Sequence, residues 1–149
     1  MDGHGRFAAL VAVFAAALFL ALAICVSGFV ALFVGAAVIV ERGTGPLLVP
    51  VMFAAATAVV FALTGVVGAG RGGRALPSAI GIAAASYLAF LLVGAVIYMF
   101  ERGRVVLALL FVVSNAPSAY AVAVGVLAGV VSFGAILLVR SRSRSFDRT

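Results

Sequence analysis

The chain has 149 residues, 66% hydrophobic and 9% charged, which leaves too little polar material for a separate water-soluble domain. Its net charge of +6 rests on ten Arg without a Lys, placed at the ends of apolar runs and in the tail. That placement argues for anionic lipid headgroups as the counterpart, and no nucleic-acid partner is expected. One Cys and one His exclude an intrachain disulfide and give no metal-ligand constellation, so no cofactor is expected.

Across residues 7–139 charge occurs only in three clusters: Glu41 with Arg42, Arg71 with Arg74, and Glu101 with Arg102 and Arg104. The pieces between them are each long enough for the roughly 20 residues with which a helix crosses a hydrocarbon layer about 30 Å thick. The predicted fold is therefore all-α: a polytopic membrane protein with four transmembrane helices in a compact bundle.

Residues 1–6 form a short N-terminus, and the first apolar run covers residues 7–40. As one helix it would extend roughly 50 Å at 1.5 Å per residue, so it must tilt, kink or protrude. Ser27-Gly28 is the expected place for a bend. Ala21-Leu22-Ala23 has the form of a signal-peptidase site, but the apolar run continues past it without a polar region, so an uncleaved anchor is expected. Ile24 before Cys25 departs from a lipoprotein box, and Cys25 is read as a packing residue. The second span, residues 47–69, follows the turn Gly43-Thr44-Gly45-Pro46, and Pro50 falls within its tolerant first turn. The third, residues 77–100, starts at Pro77-Ser78.

The last apolar stretch is interrupted by Ser114-Asn115-Ala116-Pro117-Ser118. Asn or Ser ahead of Pro is a helix-start signature, which divides the stretch into a segment 105–113, too short to cross alone, and a fourth span 117–139. Segment 105–113 either lies at the interface or forms the first part of a long, kinked fourth helix. Asn115 is a helix cap if it sits at the surface and a site candidate if it sits at depth. Ser114, Asn115, Pro117 and Ser118 together are the candidate polar break or pore. The tail, residues 140–149, is expected to be unfolded, with Arg140, Arg142 and Arg144 on lipid headgroups.

Seven Arg fall on one side of the predicted spans (positions 6, 71, 74, 140, 142, 144 and 148) and three on the other (42, 102 and 104). The positive-inside rule then puts both termini in the cytoplasm and the chain in the cytoplasmic membrane. The stretches 34–43 and 93–103 resemble each other, both ending in Glu-Arg-Gly. Two repeated helical hairpins would produce this, and so would chance in a low-complexity apolar chain.

Small residues recur every four positions on the third span (Gly81, Ala85, Ala89) and the fourth (Ala121, Gly125, Gly129). Such stripes let helices approach closely, either within the bundle or in a homo-oligomer or larger membrane complex. The spans carry no ionisable group at depth for a proton-coupled exporter and no acid-base pair for an enzyme. A non-enzymatic structural or accessory subunit acting through helix packing is the leading expectation. The alternative is a small channel or transporter using the break at 114–118. The four spans with a long first run, Glu-Arg-Gly followed by Gly-Pro-Leu-Leu-Val-Pro, and the Arg-rich end resemble small four-span membrane proteins of actinobacteria grouped as a domain of unknown function. The resemblance covers nearly the whole chain. It implies the fold and a cytoplasmic-membrane location, and brings no activity or site residues.

Overall fold

A chain in lipid can satisfy its backbone only within itself, and this one does so with helices. The structure, a computed structural model, describes residues 3–34, 48–69 and 74–146. They form α1 (Gly3–Val34), α2 (Leu48–Ala69), α3 (Ala75–Arg102), α4 (Val105–Asn115) and α5 (Ala119–Phe146). Four of the helices, all but α4, are long and apolar enough to cross a membrane. The Glu41-Arg42 cluster, Arg71, the turn 43–46 and the first copy of the suspected repeat lie outside the described residues, so the duplication is not visible here.

Helices α1, α2, α3 and α5 form a ring in that order, closed by α1 against α5, with α2 also touching α5 across the middle. Neighbours joined by short connections run antiparallel. Gly65 and Gly68 on α2 face Ala12 and Ala8 on α1, with 3.6 and 3.7 Å from the Cβ position of each glycine to the alanine Cβ. Gly68 also faces Val139 of α5, so the ends of the bundle near Arg6, Arg74 and Arg140 lie on one side. The buried face of α1 is a helical stripe of Ala8, Ala12, Ala15, Phe19 and Ala23, with large side chains such as Phe14 and Leu32 turned outward. This is inside-out only by the standard of water-soluble proteins: in lipid, small residues bring backbones together and bulky apolar ones face the acyl chains.

The α5 stripe works in this way. A methyl on Gly125 would stand 3.3 Å from Tyr87 Cβ, one on Gly129 would stand 3.1 Å from Ala83 Cβ, and Ala121 is fully buried. The stripe is therefore occupied by α3 and offers no free face to a second copy. On α3, Ala85 and Ala89 are half-buried, whereas Gly81 is exposed with open space around it.

Gly94 is the tightest point. A Cβ there would lie 2.6 Å from Met52 Cε of α2 and 2.7 Å from Phe111 Cε1 of α4, so both side chains occupy the volume that any other residue would fill. Phe111 also stacks on Tyr98 of α3, with ring centroids 5.3 Å apart, and the Arg102 guanidinium lies over the Tyr98 ring, 5.8 Å from its centroid. A two-residue reversal makes this docking possible. Gly103 adopts φ 68°, donates its N–H to Met99 O at 2.8 Å, and ends α3 in a left-handed cap.

At Ser27-Gly28, where a bend was expected, α1 is helical through both residues, with Ser27 Oγ donating to Ala23 O at 2.7 Å. One expectation needs correction. The tail was expected to be unfolded, but α5 continues to Phe146, through Arg140, Arg142 and Arg144. Extending an existing helix avoids the nucleation cost that an isolated ten-residue segment would face. Arg140 is half-buried, and the side chains of Arg142 and Arg144 lie outside the described ones.

Replacing Gly94 by Ala is expected to destabilise the protein by about 1–3 kcal/mol, because the stacked Phe111 ring must yield. Replacing Gly81 by Ala, into open space on a helix, is expected to be neutral or to stabilise by up to about 1 kcal/mol. Equilibrium unfolding in detergent micelles compares the two, and equal effects would mean that Gly94 is not a packing constraint.

Candidate functional site

Where α4 meets α5, an otherwise continuous descent is broken by one residue. In a helix the carbonyl of Val113 would accept from residue 117, but Pro117 has no N–H. Ser118 N, which would serve Ser114 O, instead bonds Asn115 O at 3.0 Å, and Ala116 N ends α4 on Val112 O at 2.8 Å. The Val113 and Ser114 carbonyls are thus left without a backbone donor among the described residues. Ala116 O is taken from another helix, by the Tyr87 hydroxyl at 2.9 Å.

Helix α5 restarts at once. Ser118 Oγ accepts from Ala121 N at 3.2 Å and Ser118 O accepts from Val122 N at 3.1 Å, so the N-cap is Ser118. Asn115 caps no amide. Only 3% exposed, it folds back over the last turn of α4, donating from Nδ2 to Phe111 O at 3.0 Å and to Ser114 Oγ at 3.2 Å. Ser114 Oγ in turn donates to Phe111 O at 3.1 Å. The Asn115 amide oxygen receives no hydrogen bond from any described residue.

The depth of the break follows from the packing register. Gly125 opposite Tyr87 and Gly129 opposite Ala83 place Ala119 level with Val93, nine residues or about 13 Å short of the Arg102 end of α3. The 11 residues of α4 rise about 16 Å, a concordant figure. Val105, Val106, Leu109, Leu110 and Val113 expose an apolar flank over that distance. Segment 105–113 is therefore the upper part of a broken fourth helix lying along α3, and Ser114, Asn115, Pro117 and Ser118 come together within the apolar zone.

Apart from Asn115, the fully buried polar side chains among the described residues are Thr64, Ser86 and Ser132. Thr64 Oγ1 and Ser132 Oγ share a hydrogen bond of 3.2 Å between α2 and α5. Ser86 Oγ, on α3, has no partner among the described residues. In the same register Ser86 is level with Val126, six residues or about 9 Å from Ser132 and eight residues or about 12 Å from Ser118. These gaps far exceed hydrogen-bond reach and are filled by core residues such as Val60, Val124 and Ala128, so the described polar groups do not form a line across the bundle. Among the described residues there is also no group of three His, Cys, Asp or Glu side chains.

On the outside, α1 and α2 enclose a groove of about 740 Å³ lined by Ala16, Leu20, Ile24, Ala54, Thr57 and Ala58, among others. It is apolar: Thr57 Oγ1 turns back to Phe53 O at 2.8 Å, as Ser27 does to its own helix. Sequence reasoning missed the bond from Tyr87 to Ala116 O. No local pattern signals a contact between residues 29 apart. It also missed the pairing of Thr64 with Ser132.

The chain belongs to a family of unknown function (DUF6121), whose model matches residues 1–149. No curated protein and no solved structure matches it.

Substitution of Tyr87 by Phe is expected to cost about 0.5–1.5 kcal/mol and to speed amide hydrogen exchange at the end of α4, leaving α1 and α2 unchanged. Exchange that is unaltered around residue 116 would show that the hydroxyl does not hold the break.

Proposed function

We propose that this protein is a non-enzymatic accessory subunit of the cytoplasmic membrane, with both termini inside, which acts by packing its helices against a partner in the bilayer. The observation that carries this reading is the α1–α2 groove. It is a concave face on the outside of the described bundle, it is lined by small and apolar side chains, and its two hydroxyls are already bonded within their own helices. Such a surface has nothing to orient a polar solute, whereas Ala54 and Ala58, four residues apart on exposed turns of α2, suit close approach of another helix. The separation of the buried polar groups into three levels supports the same reading, because a conducting path needs polar groups or water from end to end.

The second reading is a small channel or transporter, favoured by the α4–α5 break, since discontinuous helices are a recurrent means of presenting backbone oxygens at depth. The two readings separate experimentally. Ala54→Trp combined with Ala58→Trp is expected to move the protein on native gels of solubilised membranes from a larger assembly to a single chain. Leu92→Trp, on the exposed face of α3, is expected to leave the assembly intact. Wild-type protein migrating as a single chain would remove the accessory reading, and ion flux from proteoliposomes above protein-free vesicles would favour the channel.

A further inference from the structure

We infer that the end of the bundle carrying Arg6, Arg74 and Arg140 is a collar for anionic phospholipids, each guanidinium taking a headgroup phosphate while the apolar side chains next to it take the acyl chains. The level of the three follows from the packing. Gly68 of α2 meets Ala8 of α1 and Val139 of α5, so Arg6 stands two residues beyond that contact and Arg140 one. In the α3–α5 register set by Gly125 opposite Tyr87 and Gly129 opposite Ala83, Arg74 is level with Leu138. At 1.5 Å per residue the three fall within about 5 Å along the bundle axis, although they come from α1, the N-cap of α3, and α5. Arg6 and Arg74 are exposed and Arg140 is half-buried, and the continuation of α5 carries positions 142 and 144 past the same level.

Two further observations choose the partner. The first is charge. Among the described residues the acidic one, Glu101, lies at the other end of α3, 27 residues or about 40 Å from Arg74. Over the whole sequence, chain order assigns seven Arg with Asp2 and Asp147 to the Arg6 end, against three Arg with Glu41 and Glu101 at the other. Arg74 makes no side-chain cap bond, and the amides at the start of α3 add partial positive charge. The second observation is what lies beside the charge. Leu10 and Val13, on the same face of α1 as Arg6, are exposed; so are Leu137, one turn before Arg140 on α5, and Leu76 and Ile80 at the start of α3. A nucleic acid or an acidic protein would meet the charge and leave these strips in water. A phospholipid joins a phosphate to acyl chains and satisfies both in one molecule, with each Arg laying its stem along apolar surface and its head at the phosphate. The three side chains need not converge, because each meets its own lipid. The collar concerns the contact of the bundle with the bilayer and does not depend on the accessory role.

The test uses the purified full chain in phosphatidylcholine vesicles with a trace of spin-labelled phosphatidylglycerol or spin-labelled phosphatidylcholine, whose spectra separate lipid held at the protein surface from free lipid. At low salt the phosphatidylglycerol label is expected to associate roughly 3–5-fold more strongly than the phosphatidylcholine label, and the ratio to fall towards one in about 1 M NaCl. Arg6→Gln combined with Arg140→Gln is expected to remove at least half of this preference. Arg102→Gln combined with Arg104→Gln, which takes the same charge from the other end, is expected to leave most of it. Arg6→Gln alone, at an exposed position, is expected to reduce the preference and keeps the test decisive if the first pair does not fold. Equal association of the two labels with the wild type, or equal losses in the two paired variants, would overturn the proposal. So would a preference abolished by millimolar inorganic phosphate, which would make a small anion the ligand.

Discussion

In hydrocarbon an amide carbonyl has nothing to bond except the chain that carries it, and an unmet one costs several kcal/mol. That constraint makes the described chain helical almost from end to end, and it makes the one interior break informative. Pro117 withdraws an N–H from the apolar zone. The chain answers in three ways within five residues: Ser118 N moves to Asn115 O, Ser118 Oγ takes up an amide of α5, and Tyr87 reaches from α3 to Ala116 O. Two carbonyls remain after these repairs, next to a buried Asn.

The place of the break is set by packing rather than by the proline alone. A segment as short as α4 could lie flat at the interface, where its apolar flank would also be satisfied. Phe111 prevents this by filling, together with Met52, the volume that Gly94 leaves free, and by stacking on Tyr98. The αL conformation of Gly103 turns the chain sharply enough for α4 to return along α3. Two glycines therefore decide the depth of Asn115: one by reversing the chain, the other by admitting the ring that holds the returning helix. The same principle organises the rest of the bundle, where Gly125 and Gly129 accept α3 and Gly65 and Gly68 accept α1. With no hydrophobic drive between helices in lipid, these close approaches are the main source of cohesion.

Much of this architecture was legible from residue types, because span length and charge placement are physical limits that any membrane chain must meet. The second and third spans fall within two residues of α2 and α3 at each end, and the fourth starts two residues before α5, which runs seven residues farther than the span. The break was legible too, as a polar run around a proline, but its depth was not. Depth depends on Phe111 meeting Gly94, a contact across 17 residues that no periodicity announces. Tyr87 and the Thr64–Ser132 bond stayed hidden for the same reason. The α5 tail was misread because a Ser-Arg alternation was judged as an isolated segment, when it extends a helix already 21 residues long at Val139.

Whether the break is only a device for fitting length turns on its composition. Unbroken, residues 105–139 would rise about 52 Å, well beyond the roughly 42 Å of α3, so some bend is needed for the two to pack as a hairpin. A proline among apolar residues would supply that bend, with Tyr87 free to cover one carbonyl. Ser118 is accounted for as a cap, and Ser114 as a partner of Asn115. Asn115 itself is not required by the bend. An Ala there would leave the cap, the Tyr87 bond and the Phe111 contact untouched, but would lose the bonds that Asn115 Nδ2 gives Phe111 O and Ser114 Oγ. The amide therefore closes the last turn of α4 at the point where the proline removes its continuation.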